Sequence, residues 1–356
     1  MIEYLLDKQT VYDRIKASTK PLLLYGMGNG AEKAAKALSQ HGIDFCGVVA
    51  SDGFARGNMF LSSKVMSFAE AEAKYNDFDC VLCFGAEGDE LDMLKQIENR
   101  HTIYYPDLSL YGDTHMSKEM LLNELTEIER VFDLLQSDRS REIFMQNLEL
   151  SITGDRRCLD YGESDFEMPG EYYSHDMFHI DIGAYDGDTA IEYASKNSTC
   201  KGIIAVEPDK KTFMQLKRNT AFDERIKCVN AAAAEHDGTI QFASGSGRGS
   251  AIGEGELTEA VTIDLLADRK MAFADGLNVG SIKIDAEGAD QAVLCGAVNT
   301  LCDCYPTVSV AVYHRAGDLW RIPYYLHKIC GRYVFYLVRK PFCLPTWDTF
   351  VVAVKK

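Results

Sequence analysis

Two runs of alternating strand and helix signals, separated by a stretch with helical spacing and no strand signal, confine this chain to two α/β units joined by helices. In the first run Pro21-Leu-Leu-Leu-Tyr25, Phe45-Cys-Gly-Val-Val-Ala50 and Asp79-Cys-Val-Leu-Cys-Phe84 read as buried strands, alternating with helices over 32–41 and near 68–75. The middle stretch places Met120, Leu121, Leu125, Ile128, Val131, Phe132 and Leu135 at helical spacing, and Ser137-Asp-Arg breaks it into two helices. In the second run parallel strands are expected at 178–182, 202–206, 226–232, 281–284 and 307–313. Two final strands, 333–338 and 349–354, are joined by only residues 339–348, too short for a crossover helix, so that pair is antiparallel.

The expected organisation is therefore a smaller Rossmann-like α/β domain over 1–113, a helical connector over 114–160 and a second Rossmann-like domain over 161–356. The latter would hold a mainly parallel seven-stranded sheet ending in an antiparallel hairpin. A length of 356 residues agrees with more than one core. The formal charge of -17 argues against nucleic acid and anionic membranes, whose binders concentrate Lys and Arg. The first residues lack the basic start and apolar middle of a signal peptide, and no apolar run approaches the ~20 residues of a membrane span. A cytoplasmic location is expected. The 11 cysteines sit mostly in apolar runs; Cys80-Val-Leu-Cys83 has zinc-like spacing but reads as a strand without a second ligand pair.

The segment that points to chemistry is His179-Ile-Asp-Ile-Gly-Ala-Tyr-Asp-Gly-Asp-Thr189. A strand ending in Asp181-x-Gly183-x-x-x-Gly187 before a helix brings backbone close to a ligand, an arrangement that many dinucleotide sites share. Here Asp181, Asp186 and Asp188 surround the turn and would repel a pyrophosphate. S-adenosylmethionine, with an ammonium and a sulfonium, suits these charges, and Ala184 and Tyr185 fall inside the same turn. Glu207, followed by Pro208 at the next strand end, can accept hydrogen bonds from both ribose hydroxyls; Asn230 and Ala231 end the third strand where an adenine pocket is expected. The structural alternative makes Asp188 a helix N-cap and Asp181 a strand terminus.

A second turn, Tyr25-Gly26-Met-Gly28-Asn-Gly30, has no acid before Glu32 and could accept an anion, with Asp52 as its ribose partner. This would make the chain a nucleotide or nucleotide-sugar binding protein or oxidoreductase. A purely structural turn explains the same glycines.

Methyl transfer needs the acceptor atom in line behind the sulfonium carbon, and a hydroxyl acceptor benefits from a base. Lys283-Ile-Asp285-Ala-Glu287-Gly288 and Tyr313-His314-Arg315 lie at the ends of the fourth and fifth strands, where such groups are expected. Asp285 could hold the ammonium or the acceptor hydroxyl, and Asp285, Glu287 or His314 could be the base. Alternatively Asp285 and Glu287 cap a helix starting at Ala289. Asp285, Glu287 and Asp264 offer oxygen ligands to magnesium, but nothing in their spacing demands a metal, and none is expected.

Four blocks together resemble the FkbM-type S-adenosylmethionine-dependent methyltransferases: Asp181 to Thr189, Val206-Glu-Pro-Asp209, Ile282-Lys-Ile-Asp-Ala-Glu-Gly288, and Val312-Tyr-His-Arg-Ala-Gly-Asp-Leu-Trp-Arg-Ile-Pro323. The N-terminal Gly-x-Gly-Asn-Gly domain and helical connector are similar to a subgroup of that family. The resemblance implies a class I methyltransferase fold, O-methylation of small molecules or sugars, and a cofactor role for Asp181, Gly183, Glu207 and Asp285. Ala286 replaces a more frequent valine, and Lys340-Pro-Phe-Cys-Leu-Pro-Thr-Trp347 departs from the His/Tyr-containing run of the pattern, which leaves the acceptor side open. The expected partner is a small-molecule or sugar acceptor, not nucleic acid or membrane, and a homodimer is left open.

Overall fold

The computed structural model describes residues 2–51, 53–55, 57–108, 110–111, 115–160, 167–243, 251–252, 255–268, 278–340, 343–344 and 346–356. Six strands form the first sheet, in the order Met59–Phe60, Ser63–Ser67, Gly47–Ala50, Leu22–Tyr25, Asp79–Leu82, Thr102–Tyr104. Only the first pair is antiparallel. Its central strands Gly47–Ala50, Leu22–Tyr25 and Asp79–Leu82 are buried at every position because both faces are covered. Leu22, Leu24, Val48 and Val81 meet helix Asn29–Gln40 on one face, while Leu23, Tyr25, Val49 and Leu82 meet helices Phe68–Tyr75 and Asp89–Glu98 on the other. Cys80 and Cys83 fall into these two opposite cores, so they serve as small apolar side chains and cannot share a zinc ion.

Between the sheets lie three helices, Lys118–Asn123, Leu125–Leu134 and Asp138–Thr153, one more than the spacing predicts. The additional break falls at Glu124, whose carboxylate accepts the indole N–H of Trp320 at 2.8 Å and also binds Arg321. The last helix starts at Ser137, whose side chain accepts the Ser140 N–H, and ends at left-handed Gly154. It packs on strand Tyr333–Arg339, where buried Arg339 donates to Gln146 at 3.0 Å and Asn147 at 3.3 Å.

The second sheet has seven strands in the order Ile226–Val229, Gly202–Val206, Phe178–Ile182, Val279–Ile284, Thr307–Ala311, Thr349–Lys355, Tyr333–Arg339. The first five are parallel, and Thr349–Lys355 runs antiparallel to both of its neighbours, in agreement with the α/β class and the terminal hairpin expected. The third strand stops at Val229 rather than 232, because Asn230 turns its amide onto the carbonyls of Glu207 and Pro208. Ala232–Ala233 then enters a four-stranded sheet with Gly238–Ala243, Ala251–Ile252 and Glu256–Val261 that periodicity did not anticipate. Residues 244–250 and 253–254 of the glycine-rich segment 243–255 lie outside the described residues.

The connection 339–348 reaches the N-terminal unit: Cys343–Leu344 pairs with Ala86–Glu87, and Trp347 occupies the space beside Gly85. Among the described residues no helix is long and apolar enough to cross a membrane. Strand Phe178–Ile182 has the strands that follow it directly on one side and Val279–Ile284 on the other, which opens a crevice at their carboxyl ends.

Candidate active site

Strand Phe178–Ile182 delivers Asp181, wholly buried, and then turns at Gly183, whose φ is +72°. A Cβ at Gly183 would overlap the carbonyl oxygen of Asp285 on the neighbouring strand end, so only glycine lets the two strand ends approach. Tyr185 also has a positive φ, and its N–H donates to Glu207 Oε2 at 3.1 Å. Gly187 occupies the N-cap position of helix Asp188–Lys196, and Asp188 is its first residue rather than its cap, a favourable place for a carboxylate.

A cavity of about 310 Å³ fills the crevice, with Gly183, Tyr185, Asp188, Thr189, Glu207, Pro208, Ala232, Ala233, Lys283, Asp285, Glu287 and Tyr313 among the residues lining it. Glu207 presents its carboxylate there, oriented by N–H donors from Tyr185 and, at 2.9 Å, Asp209. Burial, partly offset by these donors, raises its pKa to about 7.

Several expected residues stand behind the wall. Asp181 accepts the Thr189 hydroxyl at 2.7 Å through Oδ2, while its buried Oδ1 lacks a hydrogen bond and faces Lys283 at 3.5 Å. Ala184 and Ala231 are core residues, Gly187 shapes the turn, the Asp186 carbonyl accepts the Asn219 amide at 2.9 Å, and Asn230 is spent on backbone carbonyls. Ala232 and Ala233 line the cavity, whereas Asn230 and Ala231 are not among its lining residues.

Lys283 was not singled out from the sequence as a site residue, yet it organises the centre. It is 5% exposed, donates to the Gly183 carbonyl at 3.0 Å, and lies 3.5 Å from Asp181 and 3.6 Å from Asp285. Burial alone would lower its pKa, but Asp181 and Asp285 outweigh that and hold it at about 12, so it stays charged.

His314, expected as a proton acceptor, is placed otherwise. It is fully buried, with Nδ1 2.7 Å from Asp290 Oδ2 and Nε2 3.3 Å from Asp285 and 3.6 Å from Glu287. Burial pulls its pKa down, but Asp290 first and then Asp285 and Glu287 raise it to about 9, which favours the protonated ring near neutrality. Asp290, itself buried, accepts the N–H groups of Ala286 at 2.8 Å and Gly288 at 3.2 Å. It therefore ties the loop 286–288 to the start of helix Asp290–Cys295, while Asp285 and Glu287 line the cavity. No sequence signal distinguished Asp290 from an ordinary first-turn acid.

Asp285, Asp290 and His314 come within ligand distance of one another, with Asp290 at one ring nitrogen and Asp285 at the other. Asp264 is elsewhere, capping helix Val298–Cys304 through the Thr300 N–H at 2.8 Å. In the N-terminal turn, Gly30 approaches the Cys83 carbonyl and Gly26 the Phe84 ring so closely that neither has room for a side chain; Gly28 caps helix Asn29–Gln40. Packing thus accounts for two of its three glycines, and Asp52 lies outside the described residues.

Comparison with known proteins agrees with this geometry. The methyltransferase FkbM domain matches residues 181–332. A crystal structure of a methyltransferase FkbM from Methylobacillus flagellatus is similar over 96% of this chain and 92% of its own, with 17% identity and a TM-score of 0.67. Partial similarity, over 52% of this chain, extends to a precorrin-6y C5,15-methyltransferase from Geobacter metallireducens (84% of that chain, 14% identity, TM-score 0.34). It extends over the same share to a Streptococcus mutans protein, described as a putative methyltransferase in complex with SAH (94% of that chain, 9% identity, TM-score 0.33). No curated protein matches the sequence. Residues 181–332 thus match a methyltransferase FkbM domain, and the chain shares its fold with a methyltransferase FkbM.

Proposed function

We propose that the cavity binds S-adenosylmethionine and that the chain transfers its methyl group to a hydroxyl of a small-molecule or sugar acceptor. The observation that carries this reading is the Glu207 carboxylate, held by two backbone donors at a strand end beside the close-packed Gly183 turn and facing a cavity ringed by acids. The residues present fit the cofactor: Glu207 for the ribose diol, Ala232 and Ala233 for a flat ring, and Asp188 and Asp285 for cationic character.

The bound cofactor supplies an electrophilic methyl group. On the acceptor side, Asp285 and Glu287 face the cavity. Asp285 accepts the Tyr313 hydroxyl at 3.2 Å and is oriented by Lys283 and His314, which suits it to hold a substrate hydroxyl. Glu287 is the base of this reading: burial raises its pKa above the usual carboxylate value, although Tyr111 and His314 partly oppose the rise, and it takes the proton that the hydroxyl releases. The His314–Asp290 pair behind them fixes both carboxylates without consuming the proton.

Calorimetric titration with S-adenosylmethionine should give saturable heat, and a hundredfold excess over Kd should stabilise the fold by ~2.7 kcal/mol. Absence of both would sink the proposal. Because Glu207 must be ionised to accept two ribose hydroxyls and its pKa is about 7, affinity should weaken as pH falls below 7, approaching tenfold per unit. Glu207→Gln should weaken binding by ~10–100-fold at pH 8 and remove that pH dependence.

A further inference from the structure

The N-terminal unit reaches the methyl-transfer centre at one residue that neither the motifs nor the family match contains. Tyr111 follows the last strand of the first sheet and lies 176 positions before Glu287, yet its hydroxyl donates to Glu287 Oε2 at 2.6 Å. Its backbone N–H donates to the His314 carbonyl at 3.2 Å, and its ring meets the His314 ring edge-on with centroids 5.7 Å apart. The same ring fills the space that a side chain at Gly288 would need, with its Cβ 2.9 Å from that position.

We propose that Tyr111 is a positioning residue of the methyl-transfer site, through which the N-terminal domain fixes the Glu287 carboxylate against the acceptor. Glu287 follows the end of strand Val279–Ile284, on a loop residue with φ +49°. The groups facing its carboxylate are Tyr111 from the N-terminal side and His314, Asp285 and Asp290 from the second domain. Two of these are like charges that push it away, and His314 is shared with Asp285 and Asp290. Tyr111 is the neutral donor directed at Glu287 itself. Burial and the adjacent acid raise its phenol well above the ordinary value, so it remains protonated and donates throughout the working range. The bond leaves the other Glu287 oxygen for the acceptor hydroxyl. The N-terminal domain thereby becomes part of the acceptor site.

The base role of Glu287 rests on the preceding reading; the contact made by Tyr111 does not. The test uses the full chain saturated with S-adenosylhomocysteine, carboxyl-labelled at glutamate, with Glu287→Gln assigning the resonance. Tyr111→Phe keeps the ring and removes the hydroxyl. The expected result is a Glu287 midpoint raised by ~0.5–1 pH unit, with cofactor affinity changed by less than ~2-fold and an unaltered melting temperature. Tyr111→Leu, which also loses the ring, should in addition lower the melting temperature. An unchanged midpoint in Tyr111→Phe overturns the proposal, as do equal midpoint shifts at other glutamates together with a loss of cofactor affinity, which would mark a general disturbance. Undiminished methyl transfer by Glu287→Gln would instead refute the base assignment and leave the midpoint comparison standing.

Discussion

Gly183→Ala should abolish measurable cofactor binding and destabilise the chain by ~3 kcal/mol or more. Two costs add. At φ +72° an L side chain is strained by ~1 kcal/mol. The new Cβ would also press on the carbonyl oxygen and, at 3.0 Å, the carbonyl carbon of Asp285. These are backbone atoms, not the end of a flexible side chain. Both strands are locked in register, Ile182 opposite Ile284, so relief requires pulling apart the central ladder of the sheet. The same movement would shift Asp285 and lengthen the bond from Lys283 to the Gly183 carbonyl. Urea unfolding and calorimetry read the two effects separately. Wild-type affinity in this variant would show that the close approach of the strand ends is unnecessary for the site.

Asp290→Ala should cost ~3–5 kcal/mol, because it strips a buried imidazolium of its strongest partner and leaves the Ala286 and Gly288 N–H groups without an acceptor. Its signature is in the pH dependence. His314 has a folded pKa of about 9 against 6.5 when free, so the folded state holds the proton more tightly and the resulting stability is complete below pH 6.5 and lost as pH rises through 9. That span corresponds to ~3 kcal/mol. Asp290 is shifted the other way: burial would raise its pKa, but His314 and the two backbone donors lower it. Its contribution is therefore present above the unfolded carboxylate pKa of about 3.8 and lost as pH falls below that value. Wild-type stability measured against the variant should show a plateau between pH 5 and 6.5 and a decline toward pH 10. Parallel curves for the two proteins over that range would show that His314 does not carry its proton through Asp290.

The strand-terminal glycines and acids of the second domain could be recognised from the chain itself because their information is local. A buried strand, a glycine turn and an acid at the next strand end are spaced by the geometry of one β-α-β unit, and parallel strands place all their carboxyl ends on one side. Hence Gly183, Tyr185, Asp188, Glu207, Pro208, Asp285 and Glu287, chosen from the sequence, all line one cavity. Asn230 looked equivalent to them but turned inward, since a side-chain amide at a strand end finds backbone carbonyls as readily as a ligand. The small sheet over 232–261 was missed because two of its four strands are only two residues long and the glycine-rich stretch 243–255 between the longer two reads as a loop.

What the amino-acid order determined alone was the α/β class, the antiparallel end of the sheet and the donor-side turn, each set by periodicity or by conformations open only to glycine. The tertiary structure decided the charge of His314, the office of Asp290, the pairing of Lys283 and the arrival of Tyr111 at Glu287. Ionisation follows from burial and from neighbours brought close by folding, here 24 residues apart for His314 and Asp290 and 176 for Tyr111 and Glu287, and no local pattern encodes such separations.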